Sequence, residues 1–234
     1  VPVTEKEIDR ILGQIKDGAN AWLKLVDEDC LIHGDLITNG CITGRAAHRN
    51  PNMGQVPAVY SPYGKECRAL FHAPRGYSLI GVDAKALELR CLAGYLALYD
   101  EGEYGRLVCD DDIDIHVYNQ EKFGVKTRDI SKRLLYAVLY GAGHYKAGTI
   151  VDPNETRSEI LKDLGRTVIT SFMKGVPALS QLKTKLSANL EKRGFLMGLD
   201  RRPLYCRSEF KALNVLLQAA RSEERRVGKE CRSR

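Results

Sequence analysis

Long apolar runs and clustered metal ligands are both missing from this 234-residue sequence. No uninterrupted apolar stretch approaches the roughly 18 residues that suggest a membrane-spanning helix, and no signal-peptide pattern is present. The seven cysteines are scattered, without a C-x-x-C pair or a Cys/His cluster at zinc spacing. We therefore expect no membrane partner, no structural zinc, and reduced thiols in a cytoplasmic protein.

An internal repeat and a strong charge imbalance are also absent. The composition is 44% hydrophobic and 28% charged, which is ordinary for a globular chain with one large core or two small ones. The net charge is +6, and half of it comes from residues 221–234, which hold six basic and three acidic residues. This mild basicity is compatible with a nucleic-acid partner but does not demonstrate one.

One stretch, residues 128–143, combines two cations and two aromatics at helical spacing: R-D-I-S-K-R-L-L-Y-A-V-L-Y-G-A-G. On a helix with 3.6 residues per turn, the stripe Arg128, Lys132, Tyr136 and Tyr140 drifts over only about 120°. Apolar residues at 130, 134 and 138 fall on the opposite side, which we expect to pack against the protein. The stripe then faces outward, with its cations at the helix end that favours anions.

Cations four residues apart are by themselves most often a solvated helix face. The full pattern R-x3-K-x3-Y-x3-Y-G resembles the fingers helix of family A DNA polymerases, most closely the replicative polymerases of short-tailed bacteriophages. The resemblance implies that Arg128 and Lys132 hold the phosphates of an incoming dNTP, and that Lys132 protonates the departing pyrophosphate. It also implies that Tyr136 lies against the sugar and that Tyr140 stacks near the templating base.

The segment from Ser78 to Val82 reads as a short apolar strand that ends on Asp83. An Asp after a strand is a helix N-cap in most proteins, although a carboxylate there can also hold a cation. The following letters, D-A-K-A-L-E-L-R, resemble motif A of the same family, which usually has Ser where Lys85 stands. The resemblance implies that Asp83 binds two Mg²⁺ ions with the Ala84 carbonyl, and that Glu88 excludes a 2′-hydroxyl.

Acidic residues recur from Asp110 to Asp114, but the Gly and Glu that a calcium-binding loop requires are absent. The letters D-I-H that end this stretch resemble the same family. We expect Asp114 to cap the next helix, and the resemblance implies that His116 donates to the phosphates of the nucleotide.

Three further blocks resemble the DNA-contacting parts of the family: T-G-R followed by P-N, a hairpin G-L-D-R-R, and L-N-x-x-x-Q within an apolar helix. In the hairpin, Arg201 replaces the usual turn glycine, and Pro203 replaces a basic residue. The residues that the resemblance assigns to primer-template DNA are Arg45, Asn52, Arg202, Asn214 and Gln218.

The fold class implied is α+β, a partial right-hand polymerase with a palm core sheet and helical fingers. Its predicted parts are a helical edge of thumb and palm (1–30), a first palm segment (31–91), fingers (92–195) and a second palm segment (196–220). Helical periods predict one helix over about residues 1–26 with Thr4 as N-cap, and further helices from Leu87, over about 155–173, and from Pro177. Residues 221–234 lack the family pattern, and we expect them to be joined on by cloning or read-through.

The expected parent activity is template-directed addition of dNTPs to a primer 3′-hydroxyl by two-metal phosphoryl transfer. We expect the chain alone to polymerise poorly or not at all, because the motif C carboxylate of the family is missing. Two alternatives stay open: a non-catalytic nucleic-acid or nucleotide-binding module, and a single-subunit RNA polymerase, against which Glu88 argues. The sequence does not indicate whether a processivity factor takes part. If the protein is encoded by a phage, its place is the cytoplasm of the bacterial host.

Overall fold

A computed structural model describes residues 4–81 and 84–220 of the chain. These residues form two compact units. Unit 1 consists of Val1–Cys41 and Arg45–Asp83, and unit 2 consists of Ile42–Gly44 and Ala84–Arg234. Each unit has its own core and is described separately.

Unit 1 is made of short elements joined by turns. In chain order they are helix α1 (Glu5–Leu12), a π-helical turn (Gly13–Asp17), α2 (Trp22–Leu25), strand β1 (Asp35–Ile37), β2 (Ala47–Arg49), a 3₁₀ turn (Met53–Gln55) and α3 (Gly64–Ala69). The expected N-cap is confirmed, because the side chains of Thr4 and Glu7 form a reciprocal capping box. The expected single helical period is interrupted, since an extended Gly18 and Ala21 separate α1 from α2.

The core of unit 1 is small. Ile11, Trp22 and Cys67 are buried together, and the rings of Trp22 and Phe71 meet edge to face with centroids 5.1 Å apart. Strands β1 and β2 pair antiparallel, with Leu36 opposite His48. The unit therefore rests on a few aromatic and aliphatic contacts and one short hairpin.

The predicted buried strand at 78–82 is wrong over the part that the structure describes. Residues 78–81 form no strand, and the side chains of Leu79 and Ile80 are 80% and 83% exposed. A run of apolar residues forms a strand only where an adjacent strand supplies hydrogen-bond partners, and no described strand pairs with this segment. Val82 and Asp83 lie outside the described residues.

Unit 2 is mainly helical. Its helices are α4 (Leu87–Asp100), α5 (Glu103–Cys109), α6 (Ile115–Phe123), α7 (Arg128–Leu139), α8 (His144–Val151), α9 (Ser158–Gly175) and α10 (Pro177–Arg193). They are followed by strands β3 (Phe195–Met197) and β4 (Pro203–Tyr205), a 3₁₀ turn (Glu209–Lys211) and a helix over residues 212–220, here called α11. The predicted helices from Leu87 and Pro177 are confirmed. The one expected from about residue 155 begins at Ser158.

One continuous apolar core joins the helices of unit 2. Leu134 and Leu139 of α7 are almost fully buried in it with Leu92 of α4. The rings of Phe123 and Phe172 stack with centroids 4.0 Å apart, which attaches α6 to α9. Helices α8 and α9 cross closely, because a Cβ at Gly165 would lie 1.9 Å from the carbonyl oxygen of His144. This packing gives α7 a fixed buried side.

The hairpin of β3 and β4 turns at residues 198–202, where the Gly198 N–H donates to the Arg202 carbonyl. Arg201 has a φ of 62°, which is the left-handed conformation that glycine adopts without strain. The turn thus keeps its form although arginine stands at the usual glycine position. The conformation costs roughly 1–2 kcal/mol in a residue with a side chain.

The fold class is α+β as predicted, with a helix-rich body and small sheets, although each described sheet has only two strands. None of the helices within the described ranges is long and apolar enough to cross a membrane.

Candidate nucleotide and nucleic-acid site

Helix α7 presents the predicted stripe on the side away from its buried face. The helix starts after Thr127, whose hydroxyl accepts a hydrogen bond from the Ile130 N–H at 3.3 Å. Leu134 and Val138 are buried on the predicted apolar side, whereas Lys132 and Tyr140 are exposed. The amphipathic orientation inferred for this helix is therefore confirmed.

At the beginning of α7, Arg128 is paired with Asp114, the residue that precedes α6. The Arg128 Nε atom lies 2.5 Å from one carboxylate oxygen, and the other oxygen accepts the His116 N–H at 2.9 Å. Burial is the largest single effect and opposes ionisation of this carboxyl group. The hydrogen bond from Arg128, the backbone hydrogen bond from His116 and the positive charge of Arg128 together outweigh it, so the pKa of Asp114 is lowered. The expected helix cap is confirmed, and its carboxylate also holds the first cation of the stripe.

His116 lies between α6 and α7 with only 9% of its surface exposed. The Ser131 hydroxyl on α7 donates to the His116 carbonyl at 2.8 Å, and the imidazole centroid lies 6.2 Å from that of Tyr136. Burial lowers the pKa of His116, and the positive charges of Arg128 and Lys132 lower it further, against an opposing effect of Asp114. Within the described ranges its Nδ1 atom is buried and has no hydrogen-bond partner.

At the other end of α7, the stripe reaches α4. The rings of Tyr136 and Tyr140 lie with centroids 6.2 Å apart, and the Tyr140 hydroxyl donates to a carboxylate oxygen of Glu88 at 2.7 Å. Glu88 is 8% exposed. Contacts therefore run without a break from Arg128 through Asp114, His116 and the two tyrosines to Glu88.

A cavity of about 380 Å³ opens where α7 ends. Residues 141–144 form one wall, and Lys183, Leu186 and Phe210 contribute to the others. Gly141 has a φ of 77°, and a Cβ there would lie 2.1 Å from the Phe210 carbonyl oxygen. Only glycine fits this close approach of the chain to the 3₁₀ turn that precedes α11.

The predicted metal ligands are only partly described. Asp83 lies outside the described residues, and Ala84 is an exposed residue in the irregular segment before α4. A carboxylate and a backbone carbonyl are the hard oxygen ligands that Mg²⁺ prefers. Among the residues that the structure describes, no group of three or more His, Cys, Asp or Glu side chains could hold a metal ion.

The predicted DNA-contacting residues divide between the units. Arg45, which is exposed, and Asn52 belong to unit 1. The Asn52 side-chain oxygen accepts the Gly54 N–H at 3.0 Å, so it stabilises its own turn. Arg202, Asn214 and Gln218 belong to unit 2.

In unit 2, the Arg202 guanidinium lies against Gly44, where a Cβ would be 2.5 Å from its terminal nitrogens. Its Nε atom is also 3.4 Å from Asp200. The Asn214 side-chain oxygen on α11 is buried without a hydrogen-bond partner in residues 4–81 and 84–220. Most buried amide oxygens accept a hydrogen bond from protein, ordered water or a ligand, so this oxygen is available to such a donor.

Two parts of the site were not foreseen from the sequence. One is the ion pair of Asp114 with Arg128, and the other is Ser131, which is fully buried and links α7 to the carbonyl of His116. A small polar residue on the apolar side of an amphipathic helix was the available signal for Ser131.

Comparison with known proteins identifies the family. The family model for DNA polymerase family A matches residues 10–227. The chain belongs to this family. It is 39% identical to the DNA-directed DNA polymerases of Enterobacteria phage T3 and Escherichia phage T7, over 91% of this chain in each case.

The chain spans 32% of the length of each of these two phage polymerases. Its fold is also similar to a solved structure of the POL domain of Pol1 from M. smegmatis in complex with DNA primer-template and dNTP. The TM-score is 0.70 at 19% identity, covering 88% of this chain and 38% of that one. The family A fold thus extends over most of the chain.

Proposed function

We propose that this chain forms the nucleotide-binding part, and some of the primer-template surface, of a template-directed DNA polymerase. The observation that carries the proposal is the unbroken line of contacts from Arg128 to Glu88 along α7. Cationic side chains and the imidazole of His116 lie at one end of this line, and aromatic rings with a buried carboxylate lie at the other. A nucleoside triphosphate has the same polarity, with phosphates at one end and an aromatic base at the other.

In this proposal Arg128, Lys132 and His116 bind the triphosphate. The N-terminal end of α7 adds free N–H groups and the positive end of the helix dipole. The Nδ1 atom of His116, which has no hydrogen-bond partner among the described residues, supplies a donor when the ring is protonated, and a bound polyanion favours that protonation. We also assign to Lys132 the return of a proton to the leaving pyrophosphate, and its exposed position one helical turn after Arg128 supports this role.

Tyr136 and Glu88 then face the sugar. A carboxylate that is 8% exposed and hydrogen-bonded by Tyr140 cannot turn aside easily, so an added 2′-hydroxyl would meet it. Tyr140 and the cavity beyond it lie where the helix ends, and we assign this place to the base pair that forms. Asn214 is our candidate for a contact to DNA from α11, because its buried side-chain oxygen has no hydrogen-bond partner in the part of the chain that the structure describes.

The residues proposed to hold Mg²⁺ are Asp83 through its carboxylate and Ala84 through its carbonyl. The bound ions would neutralise the triphosphate and activate the attacking 3′-hydroxyl. The phage polymerases to which the chain is similar are named for this reaction, and the similar Pol1 structure contains primer-template and dNTP. Both facts support the proposed partners.

The decisive test is nucleotide selection by template base. The purified chain is mixed with a primer-template whose primer carries a dideoxy end, so that binding is measured without extension. We expect the complementary dNTP to bind at least about tenfold more tightly than the other three, a difference of about 1.4 kcal/mol. A matching rNTP should bind more weakly than the dNTP.

Variants of α7 assign the binding to the stripe. Lys132→Ala should weaken dNTP binding by roughly tenfold or more, because it removes a charge-assisted contact. Arg133→Ala is the matched control, since it removes an exposed cation one position along and about 100° around the same helix. Equal binding of all four dNTPs whatever the template base would favour a non-catalytic binding module. A preference for rNTPs would favour an RNA polymerase.

A further inference from the structure

Lys85 is the residue by which this chain departs from the serine usual in motif A, and its side chain is 71% exposed. It follows Asp83 by two positions. The Arg90 guanidinium donates to the Lys85 carbonyl at 3.1 Å, which fixes the backbone at this point. The Lys85 ammonium contacts the carboxylate of Asp111, 2.5 Å away.

Asp111 belongs to the connection between α5 and α6, residues 110–114, which we call the acidic loop. The same loop ends in Asp114, whose carboxylate is paired with Arg128. Three residues span at most about 11 Å of extended chain, so the carboxylates that hold Lys85 and Arg128 are attached to neighbouring points of one short segment. Two cations from distant parts of the sequence thus meet at one loop.

Both ion pairs lie at the surface. The side chains of Lys85 and Asp111 are 71% and 83% exposed, and those of Arg128 and Asp114 are 46% and 40% exposed. Solvent screens such pairs, so a carboxylate in them is readily exchanged for a ligand with more negative charge. A triphosphate presents several charged oxygens at once, whereas each aspartate presents a single charge.

We infer that Lys85 is an additional triphosphate-binding residue, and that the acidic loop holds Lys85 and Arg128 as counter-ions until a nucleotide replaces it. This inference rests on the proposed function. Arg128 is already assigned to the phosphates, and Lys85 reaches the same loop from the segment that carries Asp83. The triphosphate would then lie between the two cations that the loop now neutralises.

The test compares binding of a dNTP, inorganic tripolyphosphate and the corresponding deoxynucleoside to the full chain. Lys85→Ser restores the usual family residue and should weaken dNTP and tripolyphosphate binding by roughly three- to tenfold. Binding of the deoxynucleoside, which has no phosphate, should not change. The control is Lys162→Ser on α9, an exposed lysine outside the acidic loop.

Substitution in the acidic loop should strengthen phosphate binding, whereas Lys85→Ser should weaken it. Asp111→Asn should tighten tripolyphosphate binding by about two- to threefold, because it releases Lys85. This gain should disappear in the double variant that also carries Lys85→Ser. Asp112→Asn is the control for a general change of charge in the loop. Its effect on tripolyphosphate binding should be smaller, and it should be the same with and without Lys85→Ser. All these side chains are exposed, and an unchanged unfolding midpoint confirms that each variant is folded.

The outcomes separate the inference from the proposed function. If Lys132→Ala weakens dNTP binding but Lys85→Ser does not, the inference is wrong and the proposed function stands. If the gain from Asp111→Asn survives in the Lys85→Ser background, the loop does not act through Lys85, and the inference is again wrong. If the wild-type chain binds no dNTP, both fail.

Discussion

The hydrogen bond between Tyr140 and Glu88 is the contact whose removal tests the arrangement of α7 and α4 most directly. The two residues are 52 positions apart in sequence, and the donor and acceptor oxygens are 2.7 Å apart. A hydrogen bond to a charged group contributes about 1.5–3 kcal/mol when it is buried. Tyr140 is 45% exposed, so water can replace part of the contact, and we expect Tyr140→Phe to lower the free energy of unfolding by about 1–2 kcal/mol.

The assay is urea unfolding followed by circular dichroism, with a thermal melt as a second measurement. For a chain of this size, a loss of 1–2 kcal/mol lowers the melting temperature by roughly 2–8 °C. The urea midpoint should fall while the slope stays constant, because the amount of surface exposed on unfolding is unchanged.

A matched control is available on the next helix. Tyr145 on α8 is 48% exposed, nearly the same as Tyr140, and its hydroxyl makes no hydrogen bond within the described residues. Tyr145→Phe should therefore leave the midpoint unchanged within about 0.5 kcal/mol. If Tyr140→Phe is as stable as the wild type, or if both variants lose the same amount, the contact between α7 and α4 does not contribute as argued.

Three further predictions concern the helices around the site. Thr127→Ala should lower the free energy of unfolding by about 1 kcal/mol because it removes the cap of α7. The control is Thr167→Ala, which changes a threonine in the middle of α9. A loss for Thr127→Ala no larger than that for Thr167→Ala would contradict the prediction. Gly165→Ala should cost about 1–3 kcal/mol, since its Cβ would lie 1.9 Å from the His144 carbonyl oxygen. Gly94→Ala is the control, since nothing lies within 4 Å of its Cβ, and it should raise the free energy of unfolding by up to about 1 kcal/mol. If Gly165→Ala and Gly94→Ala change the free energy of unfolding equally in denaturant, the close crossing of α8 and α9 is wrong. His116 has a lowered pKa from burial and from nearby cations, so the unfolded chain binds more protons as the pH falls below about 6.5. The free energy of unfolding should therefore decrease as the pH is lowered from about 6.5 to the lowered pKa of His116. Unfolding measured at a series of pH values should show a smaller pH dependence for His116→Gln than for the wild type. An unchanged pH dependence would show that other groups cause it.

Features set by neighbouring residues could be predicted from the sequence. The orientation of α7 follows from the spacing of Leu134 and Val138, which needs only the helical period. The caps at Thr4 and Asp114 follow from residue type next to a helical run, and both are present. These predictions depend on a few consecutive residues, so the rest of the chain has little influence on them.

Features that need a distant partner could not be predicted. The apolar letters at 78–81 favour a strand, yet Leu79 and Ile80 are exposed because no described strand pairs with them. The partner of Tyr140 on α4 and the partner of Arg128 in the acidic loop carry no periodic signal of their own. The resemblance implied that Glu88 lies near the sugar, but nothing in the sequence indicated that Tyr140 would form a hydrogen bond with it.

The two ends of α7 show why the site depends on these distant partners. The buried face of the helix fixes its position and rotation, but it leaves long side chains such as Arg128 free to choose among rotamers. Asp114 selects one position for the guanidinium at the start of the helix, and Glu88 selects one for the Tyr140 ring at its end. Each of these partners is itself held, Asp114 by the N–H at the start of α6 and Glu88 by its burial within α4. The stripe is therefore preorganised from both ends, so a change at Asp114 or in α4 should alter the proposed nucleotide binding without touching α7.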